Sequence, residues 1–167
     1  MKKTIIIAAT LLLAISARAQ GSLREIISVI RGIGTVQCDY SYTAKGDIPV
    51  TGKGVAVISG DKYHLSDGSI DTWCDGVSTW TVDRAGKEVV ITGGGNPLIT
   101  NLEDYESIIH IYSFDGKSLV CSIVSEVQGL NVDFKAENIS PVSDAADQAF
   151  SFDVSALGSE WIITDLR

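Results

Sequence analysis

From Val36 to Thr92 the apolar residues keep a period of two, in short runs separated by Asp and Gly. Val36, Cys38, Tyr40 and Tyr42 alternate with polar neighbours, and strand-like runs follow at 54–59, 62–66, 69–74, 77–82 and 88–92. Alternation of this kind places successive side chains on opposite faces of a strand. Parallel neighbours would need crossovers of about a dozen residues or more, and the gaps here are too short. The segment therefore reads as an antiparallel meander. Its clearest turn is Asp75-Gly76, since a type I′ hairpin needs positive φ at both central residues. That turn predicts Cys74 opposite Val77, Trp73 opposite Ser78, Thr72 opposite Thr79 and Asp71 opposite Trp80. Trp73 and Trp80 then share one face as diagonal neighbours, with Ile70, Thr72, Cys74, Val77, Thr79 and Thr81 on the other. Neither face is cleanly polar, which points to cover on both.

Two helices flank the meander in this reading. Ser22 and Glu25 form a capping box, and Leu23, Ile26, Ile27, Ile30 and Ile33 follow as one stripe, with Arg24, Glu25, Ser28 and Arg31 outward. Gly32 and Gly34 end that helix. A second is expected after Asn96-Pro97, capped by Asn101, with Leu102, Tyr105, Ile108, Ile109 and Tyr112 as its stripe and Asp115-Gly116 as its stop. Beyond it, strands are expected at 119–127 and 130–136, joined at Gln128-Gly129. An acidic loop with Pro141 and strands at 150–154 and 161–165 complete the chain.

Residues 1–19 read as an address. Lys2 and Lys3 precede an almost wholly apolar run from Thr4 to Ile15, and Ala17-Arg18-Ala19 supplies small residues where a signal peptidase reads. The run is too short to span a membrane permanently. Residues 20–167 are then one domain, with room for a core in a chain that is 45% hydrophobic. That part carries 10 basic against 21 acidic residues. Such a charge disfavours nucleic acid, which needs clustered Lys and Arg, and disfavours adsorption to anionic bilayers.

Catalytic constellations are scarce. The chain has two histidines, and no G-x-S-x-G elbow, phosphate-cradling loop or H-E-x-x-H. Gly93-Gly94-Gly95 lacks a following Lys-Ser/Thr pair and reads as a connection. Asp67, Asp71 and Asp75 lie four apart but on strand and turn, as solvated turn and edge positions, where they do not converge as a calcium loop does. Cys38, Cys74 and Cys121 sit inside apolar runs and read as small buried hydrophobes, with at most one oxidised pair. Nothing local supports a Cys–His nucleophile using His64 or His110. The expectation is a protein without enzymatic activity, cofactor or metal.

The run Tyr63-His64-Leu65, then Trp73-Cys74-Asp75-Gly76-Val77-Ser78-Thr79-Trp80-Thr81-Val82, then Lys87-Glu88-Val89-Val90-Ile91, resembles the outer-membrane lipoprotein carrier family (LolA-like). Phe150-Ser151-Phe152-Asp153 and the terminal Asp165-Leu166-Arg167 are similar to that family's endings. Two departures mark a divergent, shortened member. Ser59-Gly60-Asp61-Lys62 stands where the family commonly has a basic residue followed by Pro, and its Arg there is tied to cargo transfer. Lys62 does not replace a guanidinium. The stretch between Tyr112 and Leu130 is also short by about a hairpin.

The resemblance implies an α+β, mainly antiparallel fold: an incomplete, strongly curved β-barrel closed by a helical lid. It implies a monomeric carrier in the periplasm that holds the acyl chains of lipoproteins in a hydrophobic cavity. It would move them from inner to outer membrane, with a releasing transporter and an outer-membrane receptor as partners. Ile26, Ile27 and Ile30 would form the lid's inner stripe, and Val55, Val57, Tyr63, Leu65, Trp73 and Trp80 the concave face. Two other readings stay open, a periplasmic binder of another lipid or apolar ligand and an envelope interaction protein without a cavity.

Overall fold

A computed structural model describes residues 22–94, 105–127, 129–143 and 147–167. The expected signal segment and the first part of the expected second helix, through Glu103 and Asp104, lie outside these residues. Helix α1 (Leu23–Ile33) comes first, followed by strands β1 (Thr35–Ala44), β2 (Val50–Ser59), β3 (Lys62–Ser66), β4 (Ile70–Cys74), β5 (Ser78–Asp83) and β6 (Glu88–Gly93). The chain returns with β7 (Ile109–Phe114), β8 (Leu119–Ser125) and β9 (Leu130–Pro141). Two 3-10 turns, Asp147–Phe150 and Val154–Ala156, lead to β10 (Ile162–Asp165).

The ten strands form one sheet in the order β10-β6-β5-β4-β3-β2-β1-β9-β8-β7. Every pairing is antiparallel except β10 with β6. This corrects the expected architecture. The sheet is open, neither closed nor curled into a barrel: its end strands β10 and β7 do not pair with each other.

The capping box holds α1's first turn as expected. Ser22 Oγ accepts from Glu25 N at 3.3 Å, and Glu25 Oε2 accepts from Ser22 N at 2.9 Å. The helix runs through Gly32 and stops at Gly34, whose φ of 93° leaves the helical region. Ile26, 2% exposed, packs with Val36, Phe114, Ala136 and Ile139. This core therefore joins the helix to β1, β7 and β9, strands far apart in the chain.

Asp makes the hairpin turns. Asp67 Oδ1 accepts the N–H groups of Ser69 and Ile70, each at 2.8 Å, and Asp75 Oδ1 those of Val77 and Ser78 at 2.8 Å. Asp115 does the same for Lys117 and Ser118. In each turn the following glycine has positive φ, 88° at Gly68, 93° at Gly76 and 84° at Gly116. A carboxylate that captures two backbone donors builds a four-residue turn in place of the two-residue type I′ form. The expected register at Asp75-Gly76 is thereby corrected: Trp73 stands directly opposite Trp80, and Cys74 opposite Thr79.

Three more expectations change. Ile109 and Tyr112 belong to strand β7 instead of a helix, and among the described residues of the expected second helix only Tyr105 and Glu106 are helical. Pro141 is the last residue of β9, not part of a loop. Phe150–Val154 is irregular chain and 3-10 turn instead of strand.

Candidate functional site

Register fixes which side chains share a face. Val57, His64, Trp73, Trp80 and Ile91 are successive cross-strand partners from β2 to β6, and Val55, Ser66, Asp71, Val82 and Val89 form the next row. All ten side chains project to one face. The segment after β9 crosses this face, laying Phe152, Val154, Leu157 and Trp161 on Trp73, Trp80, Val82, Val89 and Ile91. Helix α1 covers the other face, over Val36, Cys38 and Ile58. The sheet thus has two cores, one on each side and towards opposite ends.

This geometry divides the residues expected to line a single cavity. Val55, Val57, Trp73 and Trp80 lie on the strap side, whereas Tyr63 and Leu65 lie on the helix side. Trp80 is sealed at 9% exposure, while Val55 is 48% exposed. Val57, Tyr63, Leu65 and Trp73 are half-buried. Ile26 and Ile30 pack into the helix-side core, and Ile27 is half-exposed.

Beyond the end of α1, the helix-side face continues as an aromatic floor. Tyr40 stacks on Phe134, ring centres 6.3 Å apart and planes 14° from parallel. Across the ladder, Gly54 stands opposite Tyr40 and Gly52 opposite Tyr42. A Cβ at Gly52 would strike the Tyr42 ring, and one at Gly54 would strike the Tyr40 hydroxyl and the Ser66 carbonyl. Both tyrosines therefore lie over the neighbouring strand instead of standing away from it. Tyr40, Tyr42, Leu65 and Phe134 are all half-exposed. The sequence signal was the pairing of two alternations, Tyr40-Ser41-Tyr42 with Gly52-Lys53-Gly54, visible only once β1 and β2 are matched.

A buried polar cluster lies on the strap side. Asp71 is 8% exposed, contrary to the expected solvated position. Its Oδ2 accepts from Arg84 Nε at 2.7 Å. Burial pushes the Asp71 carboxyl up, but hydrogen bonds from Ser66 and Arg84 outweigh it and hold the group below its usual range. His64 stacks on Trp73 with ring centres 4.5 Å apart and planes 9° from parallel. Its Nε2 is sealed from solvent, has no hydrogen-bond partner and sits 3.7 Å from Asp71 Oδ1. Burial lowers the imidazole's pKa; Asp71 pulls the other way and Arg84 adds to the lowering.

A cleft of about 530 Å³ lies against β1, β2 and the β3–β4 turn, lined by Asp39, Lys53, Ser66, Asp67 and Glu137 among others. Asp39 and Glu137 face each other directly, one held by Asn138 at 2.6 Å and the other by Lys135 at 2.7 Å. Three carboxylates against one lysine make the cleft acidic, but Tyr40 and Val55 also line it and more of its surface is apolar than polar. The three cysteines are free thiols and share the helix-side face, with Cys74 and Cys121 buried. Burial pushes the Cys121 thiol up to about 11.

No protein-family model matches the chain, and no curated protein does either. Among solved structures it is similar to an uncharacterised conserved protein of Thermus thermophilus, at 8% identity and a TM-score of 0.49, covering 87% of this chain and 99% of that one.

Proposed function

We propose that this chain is an exported binder of acyl-type ligands, a lipoprotein carrier of the kind its sequence resemblance implies, which holds its ligand on the open helix-side face. The observation that supports this reading is the floor of Tyr40, Tyr42, Leu65 and Phe134, half-exposed and continuous with the core under α1. Transfer of a methylene from water to an apolar surface is worth roughly 0.8 kcal/mol, so an acyl chain needs a long apolar track. Flat rings lying over glycines offer such a track without bulk standing in its way. Binding is non-covalent and needs no cofactor. A releasing transporter and a receptor would be the partners at either membrane.

The test uses the protein as processed by an exporting bacterial host. A triacylated lipopeptide, the same peptide without acyl chains, and a free fatty acid are titrated separately and read by native mass spectrometry. The expected result is a one-to-one complex with the lipopeptide alone or with both acylated probes, weakened about tenfold in Tyr40→Ser/Tyr42→Ser. Binding of the fatty acid but not the lipopeptide would replace lipoprotein carriage by general lipid binding. If no acylated probe binds, the acyl reading fails and an envelope docking role for the sheet takes its place.

A further inference from the structure

The strap-side face carries a feature that acyl binding does not use. His64 begins a stack of three rings: its imidazole on Trp73, and Trp73 against Phe152 at 4.8 Å and 32°. Phe152 belongs to the segment that covers the Trp80–Val82–Val89–Ile91 core. The imidazole is thus one layer away from the cover of a whole hydrophobic cluster.

We propose that His64 is a proton-operated latch for the C-terminal strap, with the neutral ring holding residues 150–161 down and the imidazolium releasing them. The geometry supplies the reason. A protonated Nε2 must donate, yet the nearest carboxylate oxygen is 3.7 Å away, outside hydrogen-bond range. The other oxygen of that carboxylate is committed to Arg84, whose guanidinium lies 6.0 Å over the same Trp73 ring. To reach an acceptor, either the imidazole tilts off Trp73 or Asp71 leaves Arg84. Both movements disturb the indole against which Phe152 rests.

The surroundings contain little else to absorb the charge. Directly opposite His64 on β2 is Val57, and its same-face neighbours along β3 are Lys62 and Ser66. From β4 the charged group is Asp71, and from the turn after β5 it is Arg84. The 3-10 turn before the strap lies against β3 and contributes the buried Phe150. In the strap, Asp153 is turned to its own Ser155, whose hydroxyl and N–H it accepts at 2.6 and 2.9 Å. The indole face does attract a cation, but Arg84 already occupies that neighbourhood, and two cations there repel. The inference concerns the face opposite the aromatic floor and does not rest on acyl binding.

All three tryptophans, Trp73, Trp80 and Trp161, lie in this one cluster. Acrylamide quenching of tryptophan emission therefore reads the strap directly. The exported protein is titrated from pH 8 to pH 4.5, and the His64 ring protons are followed by NMR in parallel. Quenching is expected to rise about twofold or more as the pH falls, with the midpoint of His64. His64→Phe keeps a ring on Trp73 and removes the proton, so its quenching is expected to stay flat. Arg84→Gln removes the competing cation and is expected to move both midpoints up together. Quenching that does not follow the His64 midpoint, or that persists unchanged in His64→Phe, overturns the proposal. Should His64→Phe fail to fold, an Arg84→Gln midpoint that shifts for the imidazole but not for quenching overturns it equally.

Discussion

An open sheet with cores on opposite faces makes a quantitative demand: the cores must be energetically independent. Ile26 in the helix-side core and Ile91 in the strap-side core are each 2% exposed. None of the residues packed around Ile26 recurs around Ile91. Ile→Val at a site this buried deletes one methyl group and leaves a small void, at a cost of about 1 kcal/mol. The β-branched replacement keeps the rotamer restriction of isoleucine, so backbone propensity changes little. Each single variant should therefore lose about 1 kcal/mol and the double variant about 2 kcal/mol, with a coupling term under about 0.5 kcal/mol. For a domain of this size each single change corresponds to a melting shift of roughly 2–4 °C. Guanidinium unfolding followed by far-UV circular dichroism, with all four proteins fitted to a common slope, measures the cycle. A coupling above about 1 kcal/mol would mean that both side chains line one interior, and the opposite-face assignment would be wrong.

Two further outcomes follow from titrating groups. Burial lifts the Cys121 thiol to about 11, and only the thiolate attacks alkylating agents. In native protein at pH 8, iodoacetamide should leave Cys121 unmodified while denatured chain reacts fully, as read by peptide mass spectrometry; rapid native labelling would contradict the burial. At the other end of the chain, Asp165 is held at about 2, first by the side-chain hydrogen bonds of Arg167. Arg167→Ala removes the side-chain bonds but keeps the backbone N–H bond of residue 167, so the carboxyl should rise part of the way towards roughly 3.9, seen in its NMR titration. A depressed folded value means that the wild-type stabilisation is complete above the unfolded pKa and disappears as pH falls through about 2. The variant should show a smaller loss, at a higher pH.

Local chemistry was readable from the chain wherever it was self-contained. Ser22 and Glu25 sit three residues apart and cap each other without help from the rest of the fold, so α1 is visible at once. The β2–β6 meander is equally local. The turn at Asp75 was harder, because Asp-Gly fits a two-residue hairpin; the competing signal was the recurrence of Asp-Gly-x-x at 67 and 115. Strand β7 was misread because Ile108, Ile109 and Tyr112 also satisfy a helical stripe, although the run Ile109-His110-Ile111-Tyr112 is rich in strand formers. The polar cluster was not legible at all. Asp71 looks solvated until Arg84, thirteen residues on, is brought onto it by the β4–β5 pairing. The division of the cavity candidates has a similar cause: Tyr63 and Leu65 differ from Val55 and Trp73 only in parity, and parity depends on register.

The sheet order also has a kinetic consequence. Hairpins β2 to β6 close over a few residues each, as do β7 to β9, so both blocks can form early. They meet only where β1 pairs with β9, joining Thr43 to Asp133 and Gln37 to Ser140. That step closes a loop of roughly a hundred residues before any contact rewards it. Because the core under α1 needs Val36 from one block and Ala136 and Ile139 from the other, the helix has nowhere to bury Ile26 until the blocks dock. A second long-range closure brings β10 beside β6, pairing Ile162 with Glu88, and mutations along the β1–β9 seam should slow folding more than mutations in any hairpin.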